Sequence, residues 1–272
     1  MDTMRVAATG IVAGFDGREV LRGLDVEVPA GARMALLGAN GSGKTTLLRT
    51  IAGAHRPSAG QVFLDGEPVR FDRAGLRAHR RRVQLVLQDP DDQLFSADVR
   101  QDVSFGPLNL GLSEAEAAAA TDSAISAMGI EHLADRPTHQ LSYGERKRVV
   151  IAGALAMNVD VLLLDEPTAG LDPAGVEALL QTLEEINARG TTLVFSTHEV
   201  DNALAFATHA AVMTEGSCSV TLNSWRSPAC VNQSCCSCPR RWGGKPPLPA
   251  LSTSGSVGSP AETNPSSGLR GR

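Results

Sequence analysis

Gly38-Ala39-Asn40-Gly41-Ser42-Gly43-Lys44-Thr45 fits the pattern G-x-x-x-x-G-K-[ST]; it follows an apolar run at residues 33–37 and opens a stretch with helical periodicity that reads as ending at Gly53. A strand, a glycine-rich loop and a helix in that order are the context in which the pattern becomes a phosphate cradle. Glycines let the backbone approach an anion closely, so the loop N–H groups and the positive end of the helix converge on it. In such a loop the lysine bridges the β- and γ-phosphates and the following hydroxyl ligates Mg²⁺, roles that fall here to Lys44 and Thr45, with Thr46 next in line. The body of the chain, residues 1–216, uses 17 arginines and only two lysines, so a lysine at this position runs against the local bias. A compact ammonium suits a phosphate cradle better than a planar guanidinium.

Upstream, residues 6–12 and 20–28 read as strands joined by a turn at 14–17, and Pro29-Ala30-Gly31 breaks the pattern before the strand at 33–37. Downstream, strand and helix signals alternate, which predicts an α/β fold with a mostly parallel sheet. Asp172-Pro173 supplies an N-cap and an N1 proline. Val176, Leu179, Leu180, Leu183 and Ile186 make one apolar face, Gly190 stops the helix, and a strand follows at 191–196. An insertion at about 96–157 reads as helical, with capping-box spacing at Ser113/Glu116 and again at Ser142/Glu145.

Val161-Leu162-Leu163-Leu164-Asp165-Glu166 has the form of a buried parallel strand ending in two acids, where open α/β sheets place ligands. Downstream of a phosphate loop, Asp165 reads as the Mg²⁺ partner and Glu166 as the group that activates or orients water. Leu141-Ser142-Tyr143-Gly144-Glu145 lies a short helix ahead of this strand and resembles the signature of ABC transporter ATP-binding subunits. Tyr143 and Glu145 stand where the family's commonest form has glycine and glutamine.

The resemblance implies a phosphate-loop ABC ATPase: a mostly parallel sheet core, an N-terminal antiparallel β subdomain and an inserted helical subdomain, with ATP and Mg²⁺ as ligands. It implies further roles by position. Gln88 matches the Q-loop glutamine that senses Mg²⁺ and water, residues 168–172 the D-loop, His198 the switch histidine at the γ-phosphate, and Phe15 the aromatic that stacks on adenine. Ser142 and the Gly144 amide would contact the nucleotide of a second subunit in a dimer. The stretches at 88–95 and 105–112 are similar to ATPases of energy-coupling factor importers, particularly the cobalt-importer subunits called CbiO. That implies a transmembrane transporter partner, a peripheral place on the cytoplasmic face of the membrane, and cobalt, nickel or a vitamin as cargo. Two other readings are a soluble ABC ATPase of translation or repair, and a defective transporter ATPase that has lost its native C-terminus.

Composition separates the chain of 272 residues into two parts at about Gly216. The first 216 residues hold 19 basic and 29 acidic residues, a charge near −10, and no cysteine. An acidic body argues against generic nucleic-acid binding, and the start Met1-Asp2-Thr3-Met4-Arg5 lacks a signal-peptide pattern, which predicts the cytoplasm. Residues 217–272 hold all five cysteines, both tryptophans and a single carboxylate, Glu262. They are expected to be disordered and foreign to the body, as after a frameshift, with a metal site at Cys230, Cys235, Cys236 and Cys238 as the rival reading.

Overall fold

The computed structural model describes residues 4–223. β1 (Met4–Phe15) and β2 (Arg18–Pro29) pair antiparallel through a two-residue turn, Asp16-Gly17, in which both residues have positive φ. The strands therefore run closer to the turn than the apolar pattern alone suggests, because an Asp-Gly pair closes a hairpin in two residues. β3 (Arg33–Leu37) enters the glycine loop and α1 (Lys44–Ile51) leaves it. β4 (Ala59–Leu64) and β5 (Glu67–Pro68) complete a four-stranded sheet of order β2-β1-β4-β5, antiparallel throughout.

After α2 (Arg73–Arg80) comes β6 (Val83–Val86), and then the helical insertion: α3 (Val99–Asn109), α4 (Glu114–Ala127) and α5 (Tyr143–Leu155). Both expected capping boxes form. Ser113 and Ser142 each accept from the backbone N–H three residues on, and Glu116 and Glu145 each accept from the N–H of their serine. β7 (Val161–Leu164), α6 (Pro173–Ala188), β8 (Thr192–Thr197), α7 (Val200–Phe206) and β9 (His209–Thr214) follow. The second sheet has the order β10-β9-β3-β8-β7-β6, with β10 (Ser217–Asn223) antiparallel to β9 and every other pair parallel.

β10 corrects the expected boundary. The chain does not leave the fold at Gly216: Glu215 and Gly216, both at positive φ, make a two-residue turn, and Ser217 and Asn223 pair with Thr214 and His209. The local reason lies in Ser217-Cys218-Ser219-Val220-Thr221-Leu222-Asn223, where apolar and polar residues alternate with the period of a strand. The biased composition of residues 217–272 as a whole masks those seven. The expectations for Trp225, Trp242, the four clustered cysteines and the rest of 224–272 lie outside the described residues.

Period-two alternation also explains why the second sheet can be covered on both faces. Ala35, Leu37, Leu162, Leu164, Leu193 and Phe195 join a cluster with the insertion's Val103, Ile125, Val149 and Ile151. Their neighbours Met34, Leu36, Val161, Leu163 and Val194 join the opposite cluster, with Leu24 and Val26 of β2 and Leu47 and Ile51 of α1. The helical insertion and the antiparallel sheet are thus anchored to one central sheet through opposite faces. Leu163 is fully buried. Leu163→Ala should cost about 2–5 kcal/mol in urea unfolding, and a loss below about 1 kcal/mol would contradict this packing.

Candidate functional site

The parallel register brings the carboxyl ends of four strands to one edge: Leu37 pairs with Thr197, Val86 with Leu164, and Leu164 with Phe195. The residues just beyond those ends are the glycine loop, Gln88, Asp165-Glu166 and His198.

The loop is built tightly. A Cβ at Gly38 would lie 2.5 Å from the Met213 carbonyl oxygen and 2.7 Å from Ser42 Oγ. Gly43, at φ +103°, is the N-cap of α1 and brings no side chain to the first-turn N–H groups; a Cβ there would meet Leu21 at 2.8 Å. Those donors and the helix dipole are therefore left facing the cleft. Ser42 Oγ is buried without a hydrogen-bond partner. A cradle of donors with an unsatisfied buried hydroxyl suits an anion with several acceptor oxygens. Lys44, only 6% exposed, donates from Nζ to the carbonyls of Gly38 (2.8 Å) and Ala39 (3.2 Å).

Opposite the loop, Asp165 is buried and accepts from Ser196 Oγ at 2.6 Å; the same Oγ accepts from the Glu166 N–H at 2.8 Å. Glu166 has φ +44°, uncommon for a residue with a side chain, and this turns the chain sharply at the end of β7. Its carboxylate sits between two cationic or proton-carrying partners: Oε1 is 3.9 Å from Lys44 Nζ, and Oε2 is 3.1 Å from His198 Nδ1.

A cleft of about 880 Å³ is lined by Phe15, Asn40, Gly41, Gly43, Lys44, Thr45, Thr46, Gln88 and Glu166. That volume is in the range of small-molecule sites. Gly38, Ala39 and Ser42 belong to the same loop, and Asp165 and His198 adjoin Glu166. Phe15 is 45% exposed at the rim, which excludes a core role, and its ring stands 4.5 Å from that of His55. Ser142 and Gly144 are not brought to this cleft in the same chain; they line a second one with Leu171 and Asp172.

Several residues at the site were not singled out from the sequence. Arg18 and Arg22 line the first cleft, Ser196 links Asp165 to Glu166, and Lys147 donates to the carbonyls of Glu166, Pro167 and Ala169 at 2.8–2.9 Å. Burial pushes the Lys147 ammonium down to about 8, against the opposing pull of the Glu166, Asp89 and Asp165 carboxylates. Tyr143 donates from its hydroxyl to the Gln88 carbonyl at 3.2 Å, with its ring beside Gly170. One signal for Lys147 was available: it is the second of the body's two lysines.

Residues 21–169, from β2 through the loop and signature to the turn after Glu166, match the ABC transporter family. The chain belongs to the ABC transporter family. It is an ATP-binding cassette ATPase. Relatives of this ABC ATPase include the cobalt import ATP-binding protein CbiO of Rhodobacter capsulatus, 54% identical over 212 residues, or 78% of this chain and 76% of that protein. The energy-coupling factor transporter ATP-binding protein EcfA of Methanocaldococcus jannaschii is 45% identical over 201 residues, 74% of this chain and 72% of the relative. Among solved structures, a CbiO protein of Clostridium perfringens, described as part of the ABC transporter complex cbiONQ, aligns with TM-score 0.76 and 41% identity over 82% of this chain and 89% of that one. Among the described residues of this ABC ATPase, no helix is long and apolar enough to cross a membrane.

Proposed function

We propose that this ABC ATPase is the ATP-hydrolysing motor subunit of an energy-coupling factor type importer, docked peripherally on a transmembrane partner at the cytoplasmic face of the membrane. The observation that carries the mechanism is the Glu166 carboxylate, set between Lys44 and His198 at the mouth of the loop cleft. Gly38 to Thr46 hold the triphosphate, with Lys44 neutralising its charge, and Phe15 stacks on the base. Thr45, Asp165 and Gln88 are oxygen donors of the kind Mg²⁺ takes, and the ion supplies charge neutralisation at the phosphates. Glu166 takes the proton of an attacking water, and His198, hydrogen-bonded to Oε2, fixes the carboxylate's orientation and reports on the γ-phosphate. Ser142 and Gly144 stand at the capped N-terminus of α5 away from this cleft. They serve the site of a second ATPase subunit, identical or paralogous.

The cargo reading, cobalt, nickel or a vitamin, rests on the relatives' names, and selection among them belongs to the membrane partner. Cells lacking this chain should lose ATP-driven uptake of one such cargo and regain it with the wild-type gene but not with Lys44→Ala. Unimpaired uptake of all of them would send the assignment back to a soluble ATPase.

Gln88 and the insertion at about 96–157 form the surface that faces the transmembrane partner. Phe95 (63% exposed) and Phe105 (48% exposed) pack edge to face at 4.5 Å, leaving an apolar patch in solvent; Phe95 follows Asp91 and Asp92 closely along the chain. Asp91 also pairs with Arg146 of the signature helix at 3.2 Å. Charge reversal at Asp91 and Asp92 should uncouple hydrolysis from uptake while ATP affinity stays within about twofold, since exposed pairs contribute little to stability. Normal uptake by these variants would place the docking surface elsewhere.

A further inference from the structure

Lys147 lies on the second turn of α5, 2% exposed, in a part of the molecule where a charge is expensive to bury. A buried ammonium usually meets a carboxylate. Here its three short contacts are backbone carbonyls, those of Glu166 (2.9 Å), Pro167 (2.9 Å) and Ala169 (2.8 Å), with the Tyr143 ring centroid 5.4 Å away. Three donors on one nitrogen meet three acceptors from a four-residue turn. An ammonium has the donor count to do this, whereas the planar guanidinium favoured elsewhere in this chain spreads its donors along a fork.

The turn it holds is the one that aims the Glu166 carboxylate. Glu166 occupies the left-handed region at φ +44°, a conformation that persists in a residue with a side chain only where its surroundings over-determine it. Its peptide groups are clamped from both sides: the N–H by Ser196 Oγ at 2.8 Å and the C=O by Lys147 Nζ at 2.9 Å. The Ser196 clamp is tied to β8 and to Asp165; the Lys147 clamp is tied to the helix whose first residues carry Ser142 and Gly144.

We propose that Lys147 is a positioning residue that fixes the Glu166 carboxylate in its productive orientation through the Glu166–Ala169 carbonyls and joins it rigidly to the signature helix. A shift of that helix, driven by the nucleotide of the other subunit, then moves this subunit's own base. The inference rests on the reading of Glu166 as the group that activates water.

The test uses the full chain with MgATP and compares Lys147→Gln, Lys147→Met, Glu166→Gln and the double variant Lys147→Gln/Glu166→Gln. Gln keeps two donors without the charge; Met keeps the stem and no donor. Lys147→Gln should lower kcat about tenfold and Lys147→Met further, with ATP dissociation constants within about twofold of wild type, because only the transition state needs the aimed carboxylate. Since Lys147 acts through Glu166, the double variant should turn over no more slowly than Glu166→Gln alone. Losses that multiply in the double variant, wild-type kcat in Lys147→Gln, or a matching loss of ATP affinity would each overturn the proposal. If Lys147→Met does not fold, the Gln variant and the double variant decide the question. Full activity in Glu166→Gln would instead overturn the reading of Glu166 itself, an outcome distinct from activity lost in Glu166→Gln but retained in Lys147→Gln.

Discussion

Glu166→Gln should still bind ATP and accumulate as a closed, nucleotide-bound dimer, while its turnover falls by roughly 10²-fold or more, the range lost with a general base. The amide is isosteric with the carboxylate, so it can still reach His198 Nδ1, now 3.1 Å from Oε2, but it cannot take a proton from water. The backbone clamps on Glu166 from Ser196 and Lys147 engage the peptide, not the side chain, and should survive the substitution. Single-turnover hydrolysis with radiolabelled ATP, beside equilibrium nucleotide binding, separates the two effects. Turnover within threefold of wild type would remove Glu166 from the chemistry and turn attention to Gln88 on the cleft wall and His198 beside it.

Lys44→Ala should act on binding rather than on chemistry. Lys44 is the one lysine among the described residues that line the cleft, 3.9 Å from Glu166 Oε1, and its removal takes away a positive charge at the loop while the Glu166 carboxylate stays. Charge-assisted hydrogen bonds to an anion are worth about 1.5–3 kcal/mol each, so ATP affinity should fall on the order of 10- to 100-fold. Titration of the full chain with a fluorescent ATP analogue measures this directly. Affinity unchanged within twofold would contradict the placing of the phosphates in the Gly38–Thr45 loop. The two variants thus carry opposite signatures, Glu166→Gln in kcat and Lys44→Ala in binding.

Much of the fold was legible because its signals are local. The strand before the loop, the two capping boxes and the Asp172-Pro173 helix start depend on neighbours three or four residues away. The acids at the end of β7 were legible for a related reason: a parallel strand that is apolar throughout must be buried, so polar residues at its end mark the edge where ligands meet the sheet. Ser196 and Lys147 escaped because their meaning is set by residues 30 and 19 positions away, Glu166 in both cases. A serine at a strand end and a lysine on a helix have no periodicity that marks them. Tyr143 was visible as a departure from the commonest signature, but its bond to the Gln88 carbonyl, 55 residues away, was not. The extent of the fold was misplaced at Gly216 for the converse reason. A biased composition spread over dozens of residues outweighed seven with clean alternation, although pairing to β9 needs only those seven.

On this reading, ATP hydrolysis at this cleft drives a membrane-embedded partner. Isolation of the tagged full chain from detergent-solubilised membranes of its native host, followed by identification of its partners and assay of MgATP hydrolysis, tests it most directly. An integral membrane protein should co-purify in fixed stoichiometry, and the complex should hydrolyse ATP in a manner abolished by Glu166→Gln. Recovery of the chain only from the soluble fraction, free of any membrane protein or bound to ribosomes or DNA, would contradict it.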